Sequence, residues 1–98
     1  MKKKFPTTLT IMGRKLKVKQ GTGLVYQGQQ VLGLCDYDKK MIYIEKAQSD
    51  ESKIDTLIHE ATHFFLIFAG MDQRISESEN EMYCQLVTAF FNDLKSVI

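Results

Sequence analysis

The hydrophobic period of this 98-residue chain changes near residue 48, and that change constrains its fold more than any other feature. Before it, apolar and polar residues alternate; after it, apolar residues return every three or four positions. Thr7–Met12 and Arg14–Gln20 read as two strands around Gly13, with Leu16 and Val18 set between Lys15, Lys17 and Lys19. That alternation is the pattern of a half-buried strand with one wetted face. Gly21–Gln30, rich in Gly and Gln, reads as a loop or a short irregular strand around Leu24-Val25-Tyr26. Val31–Tyr37 and Met41–Glu45 are two further strands, joined across Asp38-Lys39-Lys40 as a second hairpin.

The second half is helical. Ser49 or Asp50 caps a helix whose apolar positions are Ile54, Leu57, Ile58, Ala61, Phe65 and Phe68, and Gly70 suits its end. Ser76 or Ser78 opens a second helix running towards Lys95, with Met82, Tyr83, Leu86, Phe90 and Leu94 as its stripe. The expected fold is α+β: a small antiparallel or mixed sheet built from two N-terminal hairpins, with both helices packed on one face. The length suits a single domain over residues 1–98.

Composition excludes several classes. Hydrophobic residues make up 44% and charged residues 26%, which is neither a disordered chain nor a coiled coil. The longest apolar run, residues 64–70, falls far short of the roughly 20 residues that span a bilayer. No apolar leader follows Lys2-Lys3-Lys4, and Cys35 and Cys84 suit thiols of a reducing compartment, so a cytoplasmic protein is expected. The net charge of +1 hides an asymmetry: residues 1–35 carry seven basic side chains and no acid. Nucleic acid could be drawn to such a half. The alternation of Lys15, Lys17 and Lys19 is better explained as the wet face of a strand.

The chemistry concentrates in His59-Glu60-Ala61-Thr62-His63, which holds both histidines of the chain. Histidines four apart on a helix lie one turn above each other and can reach one ion. Glu60, just off that side, can touch a metal-bound water without taking a ligand position. Zinc suits this set, with three protein ligands and an open fourth position. The third ligand is chosen here by helical phase. Glu79 lies in the middle of the second helix's apolar arc, where a carboxylate needs a charge partner such as a metal on the facing helix. Glu81, on the polar side, is the alternative, with a competing role as capping-box acceptor for Ser78. Cys84 is a weaker ligand candidate and reads better as a small residue at the core edge.

This motif, followed by a glutamate on the next helix, resembles the gluzincin metallopeptidases. Over about residues 31–94 the chain also looks like small phage and prophage-encoded zincin-like proteins and the minigluzincins. The residues that carry the likeness are Leu34-Cys35-Asp36-Tyr37-Asp38, Met41-Ile42-Tyr43-Ile44-Glu45 and Thr56-Leu57-Ile58-His59-Glu60. The resemblance implies a zincin-like fold, one zinc per chain on His59, His63 and Glu79, and Glu60 as general base for peptide hydrolysis. It further implies that extended substrate pairs with an edge strand, here Met41, Ile42, Tyr43 and Ile44. Full-size relatives stabilise the oxyanion with a histidine or tyrosine from a C-terminal subdomain. In this chain that role falls to Tyr26, Tyr37, Tyr43 or Tyr83, or to zinc alone. The expected partner is therefore a peptide or protein substrate. The rival expectation is a non-catalytic interaction protein on the same scaffold, with a structural or vestigial zinc.

Overall fold

The computed structural model describes residues 5–95. Six strands precede two helices: β1 (Thr8–Ile11), β2 (Arg14–Gly21), β3 (Val25–Tyr26), β4 (Gln29–Gln30), β5 (Gly33–Asp36), β6 (Met41–Glu45), α1 (Asp50–Phe68) and α2 (Glu77–Lys95). A 3₁₀ turn at Met71–Gln73 links the helices. The class is α+β.

The first hairpin turns at Met12-Gly13, both at positive φ, the backbone shape that lets two strands reverse without splaying. β5 and β6 form the second hairpin, and the Asp36 carboxylate accepts the Lys39 N–H at 3.0 Å inside its turn. The sheet order is β1-β2-β6-β5, with β2 and β6 parallel and the other pairs antiparallel. The sheet is therefore mixed. Leu16, Val18, Ile42 and Ile44 project from its covered face and meet Leu57 and Phe64 of α1 in the core.

That strand order corrects one expectation. Met41–Glu45 is not an edge: β2 pairs with it on one side and β5 on the other. Ile42 and Ile44 are fully buried core residues. The free edges of the main sheet belong to β1 and β5. The apolar run Met41-Ile42-Tyr43-Ile44 suits a strand enclosed by neighbours, but its long-range pairing with β2 leaves no local signal.

The Gly- and Gln-rich stretch forms a small second hairpin, β3 with β4. It is tied to the main sheet by the Leu24 N–H, which donates to the Glu45 carboxylate at 3.1 Å. That bond holds the Glu45 carboxyl below the usual range. Gln48 joins the sheet to the start of α1. Its Nε2 donates to the Leu32 and Glu45 carbonyls, and its Oε1 accepts from Ser52 and Thr56.

Helix α1 begins at Ser49, whose hydroxyl accepts the Ser52 N–H at 3.1 Å, and stops before Gly70, at φ +74°. Its core face runs through Leu57, Ala61, Phe64 and Phe68, so Ile54 and Phe65 of the expected stripe lie outside it, both exposed. Helix α2 departs further from expectation. Met82, Tyr83, Leu86, Phe90 and Leu94 are all exposed, and the side turned to α1 carries Asn80, Glu81, Cys84 and Asn92. The Asn92 amide donates to Asp55 of α1 at 2.9 Å. Among the described residues, no helix is long and apolar enough to cross a membrane.

Candidate metal centre

The site lies where α1 passes under β5 and beside the start of α2. Gly33 sets the approach of helix to strand. A Cβ there would meet Thr56 Cγ2 at 2.6 Å and Glu60 Cγ at 2.9 Å, so only glycine lets α1 lie this close to β5. The close approach buries Glu60 against the strand. The Cys35 thiol then faces both the Glu60 main-chain oxygen at 3.3 Å and Oε1 at 3.4 Å. Burial raises the Glu60 carboxyl above the usual carboxylate range, while His63 opposes the shift. Burial also pushes the Cys35 thiol and the Tyr37 phenol far up, so both stay neutral as donors. Tyr37 packs edge-on against Phe64, ring centroids 5.0 Å apart, which closes the interior side of the site.

His59 and His63 stand one turn apart with ring centroids 5.0 Å apart. The Glu81 carboxylate spans them, with Oε1 2.6 Å from His59 Nε2 and Oε2 3.2 Å from His63 Nε2. Around a tetrahedral zinc with such ligands, neighbouring donor atoms sit about 3.4 Å apart, close to the 3.2 Å His63 spacing and longer than the 2.6 Å His59 contact, which is a direct hydrogen-bond distance. The other nitrogen of His63 is held by α2: Nδ1 lies 2.6 Å from Asn80 Oδ1. A hydrogen on Nδ1 suits this contact, because a carbonyl oxygen can only accept, and it would leave Nε2, the nitrogen facing Glu81, for a metal. The donor set fits a metal ion.

Cys84 is the other neighbour. Its Sγ and the histidine nitrogens lie within 4.8 Å of one another, a cluster that could itself hold a metal ion. The thiol is fully buried, with its pKa pushed up to about 12 by burial, and it points towards Asn80 Oδ1 at 3.7 Å. Glu81 also contacts both histidine nitrogens.

Glu79 is elsewhere. It forms a capping box with Ser76: the Glu79 N–H donates to Ser76 Oγ at 3.1 Å, and the Ser76 N–H donates to Glu79 Oε1 at 3.2 Å. The structure thus places Glu81, the expected alternative, against the histidines and Glu79 in the helix cap, and the capping box is Ser76–Glu79 rather than Ser78–Glu81. The physical reason is the outward apolar face of α2. Glu79 does sit in the middle of that arc, but the arc faces away from the histidines.

The cleft over the site has a volume of about 940 Å³ and two walls. One is β5 with Tyr26 and Gln27 of the small hairpin; the other is the first part of α2 with Glu77 and Glu81. Tyr26 and Tyr37 line the cleft, whereas Tyr43 and Tyr83 do not. Sequence reasoning missed Asn80, Cys35 and Gly33 as supports of the site. Only Gly33 carried a signal, as a glycine inside a strand pattern. No protein-family model, curated protein or solved structure matches this chain, so the site is read from its own geometry.

Proposed function

We propose that this chain is a zinc-dependent peptidase with a zincin-like fold of the gluzincin type, working in the cytoplasm. The observation that carries the reading is the convergence of His59, His63 and Glu81 beside a buried, non-ligating Glu60. A purely structural site has no use for that second carboxylate. Zinc held there, one per chain, would polarise a peptide carbonyl and acidify water. Glu60 supplies the proton chemistry: Cys35 occupies Oε1, which leaves Oε2 to take a proton from the attacking water. The same oxygen then returns the proton to the leaving amine. A raised carboxyl pKa brings Glu60 closer to the pH at which it must both accept and release that proton.

The peptide would lie extended along β5, the free edge beside the site, rather than along the enclosed β6. Tyr26, across the cleft, is the phenol available to the developing oxyanion. Metal analysis is the first measurement: close to one zinc per chain, falling to near zero in His59→Ala and His63→Ala. Cleavage of a peptide library by Glu60→Gln at matched zinc content is the second. A rate loss of about 10² to 10⁴ is expected for a missing general base. Equal activity in Glu60→Gln would instead favour a non-catalytic binding protein with a structural zinc.

A further inference from the structure

We propose that a second cavity, at the free edge of β5, is a subsite for a cationic side chain, lysine or arginine, of a peptide laid along that strand. The cavity has a volume of about 350 Å³ and is lined by Tyr26, Tyr37, Tyr43, Leu34, Asp36 and Asp38. Three separate elements supply the phenols: Tyr26 comes from the small hairpin, Tyr43 from β6 and Tyr37 from the turn after β5. Ile42 and Ile44 point into the core, so Tyr43 between them projects from the opposite face of the sheet, where register sets it beside Leu34. The rings are held before any ligand arrives. Tyr37 packs edge-on against Phe64, and the Tyr43 hydroxyl lies 3.5 Å from Met41 Sδ. Tyr26 and Tyr37 remain 56% and 45% exposed, which leaves ring surface open to a ligand.

The lining selects a cation. Aromatic faces attract positive charge through their ring quadrupoles, and two carboxylates beside them add formal negative charge. Asp36 accepts a neutral main-chain N–H from Lys39, a bond that leaves its charge in place. Among the described residues, no Lys or Arg lines the cavity: Lys19, beside Tyr43 on β2, and Lys39, in the turn, stand outside it. The larger cleft continues the pattern, with Asp55, Asp72 and Glu77 in its lining and again no Lys or Arg. An anion would meet repulsion in both. The two cavities share Tyr26, Leu34, Cys35 and Tyr37, so a chain passing the histidines along β5 reaches the tyrosines without leaving the edge. That the cation belongs to a peptide rests on the peptidase reading, which lays extended chain on β5. Such a chain offers every second side chain to one face of the sheet.

Calorimetric titration of full-length Glu60→Gln, chosen so that peptide is not consumed, tests the subsite. The probes are blocked pentapeptides that differ only in a central lysine, arginine or norleucine. The lysine and arginine peptides should bind about tenfold more tightly than the norleucine peptide, the worth of one cation–π contact and one partly exposed ion pair together. Asp38→Asn and Tyr43→Leu, added singly to that protein, should each remove most of this preference and leave norleucine binding unchanged. Neither residue lines the cleft over the histidines. If Tyr43→Leu fails to fold, Asp38→Asn, in an exposed turn, decides alone. Equal binding of the three peptides, or binding of none, would overturn the proposal, as would a preference that survives the substitutions. Nα-acetyl-lysine amide binding as tightly as the lysine peptide would also overturn it, since the ligand would then be a free cation. Failure of the peptidase reading shows separately, as equal cleavage by wild type and Glu60→Gln.

Discussion

The two helices are equally long, 19 residues each, and both are amphipathic, yet they use their apolar faces in opposite ways. α1 lays Leu57, Ala61, Phe64 and Phe68 on the sheet and carries its histidines at the border of that face. α2 meets α1 through Glu81, Asn80, Cys84 and Asn92, and turns Leu86 and Phe90 outward. An apolar stripe therefore shows which surface seeks cover without saying what covers it. Asn80, Glu81 and Cys84 of α2 gather around the two histidines of α1, and Asn92 bonds Asp55 further along. Its hydrophobic energy remains unspent within one chain.

The largest expected effect tests that contrast directly. Phe64 is almost fully buried and stacks on both Tyr37 and Phe68, so Phe64→Ala should cost about 3–5 kcal/mol of folding stability. Phe90→Ala should change stability by less than about 0.5 kcal/mol. Urea unfolding of both variants measures the pair. A comparable loss in Phe90→Ala would mean that α2 packs inward through its apolar face, and the contrast would fail.

A second test sharpens what joins the helices. With Glu81 as the proposed third ligand, Glu81→Ala should weaken zinc binding by more than about 100-fold, beyond the 10–100-fold typical of a lost partner one step removed from the metal. Asn80→Ala, which frees His63 Nδ1, belongs to that outer-shell class and should weaken zinc by about 10–100-fold. Competition with a coloured chelator at fixed pH reads both. Equal affinities in Glu81→Ala and wild type would move the third ligand to Cys84.

Much of this was legible in the sequence, and the failures share a cause. The alternation of Leu16 and Val18 with lysines, the Ser49 cap and Gly70 are local patterns with their expected places in the structure, and His59, Glu60 and His63 lie on the helix where they were expected. What local pattern cannot encode is which face meets which neighbour. The parallel pairing of β6 with β2 joins Val18 to Ile42 across a long crossover, and it turned an expected edge strand into a central one. The phase of α2 was sound as a wheel, with Glu79 mid-arc, but its orientation came from assuming that apolar means inward. At this site the inward partner is a pair of histidines, so the polar side of α2 faces in. Asn80 shows the same limit, since an asparagine preceding a glutamate looks like any solvated helix start.

A smaller loss is expected where the role of Glu79 is tested. In the structure Glu79 and Ser76 satisfy each other's main-chain N–H groups at the start of α2. Glu79→Ala should therefore cost about 1 kcal/mol or less, the worth of a helix cap. For a domain of this size that is a fall of roughly 4–8 °C in Tm. Zinc affinity should not change. Because the two caps are reciprocal, Ser76→Ala and the double variant should lose less than the sum of the single effects, the mark of residues acting as one unit. Thermal unfolding of the three variants, with zinc titration alongside, checks both parts. Were Glu79→Ala to release zinc while Glu81→Ala retained it, α2 would have to be rotated on its axis. Its apolar face would then turn towards α1, and the difference between the two helices would disappear.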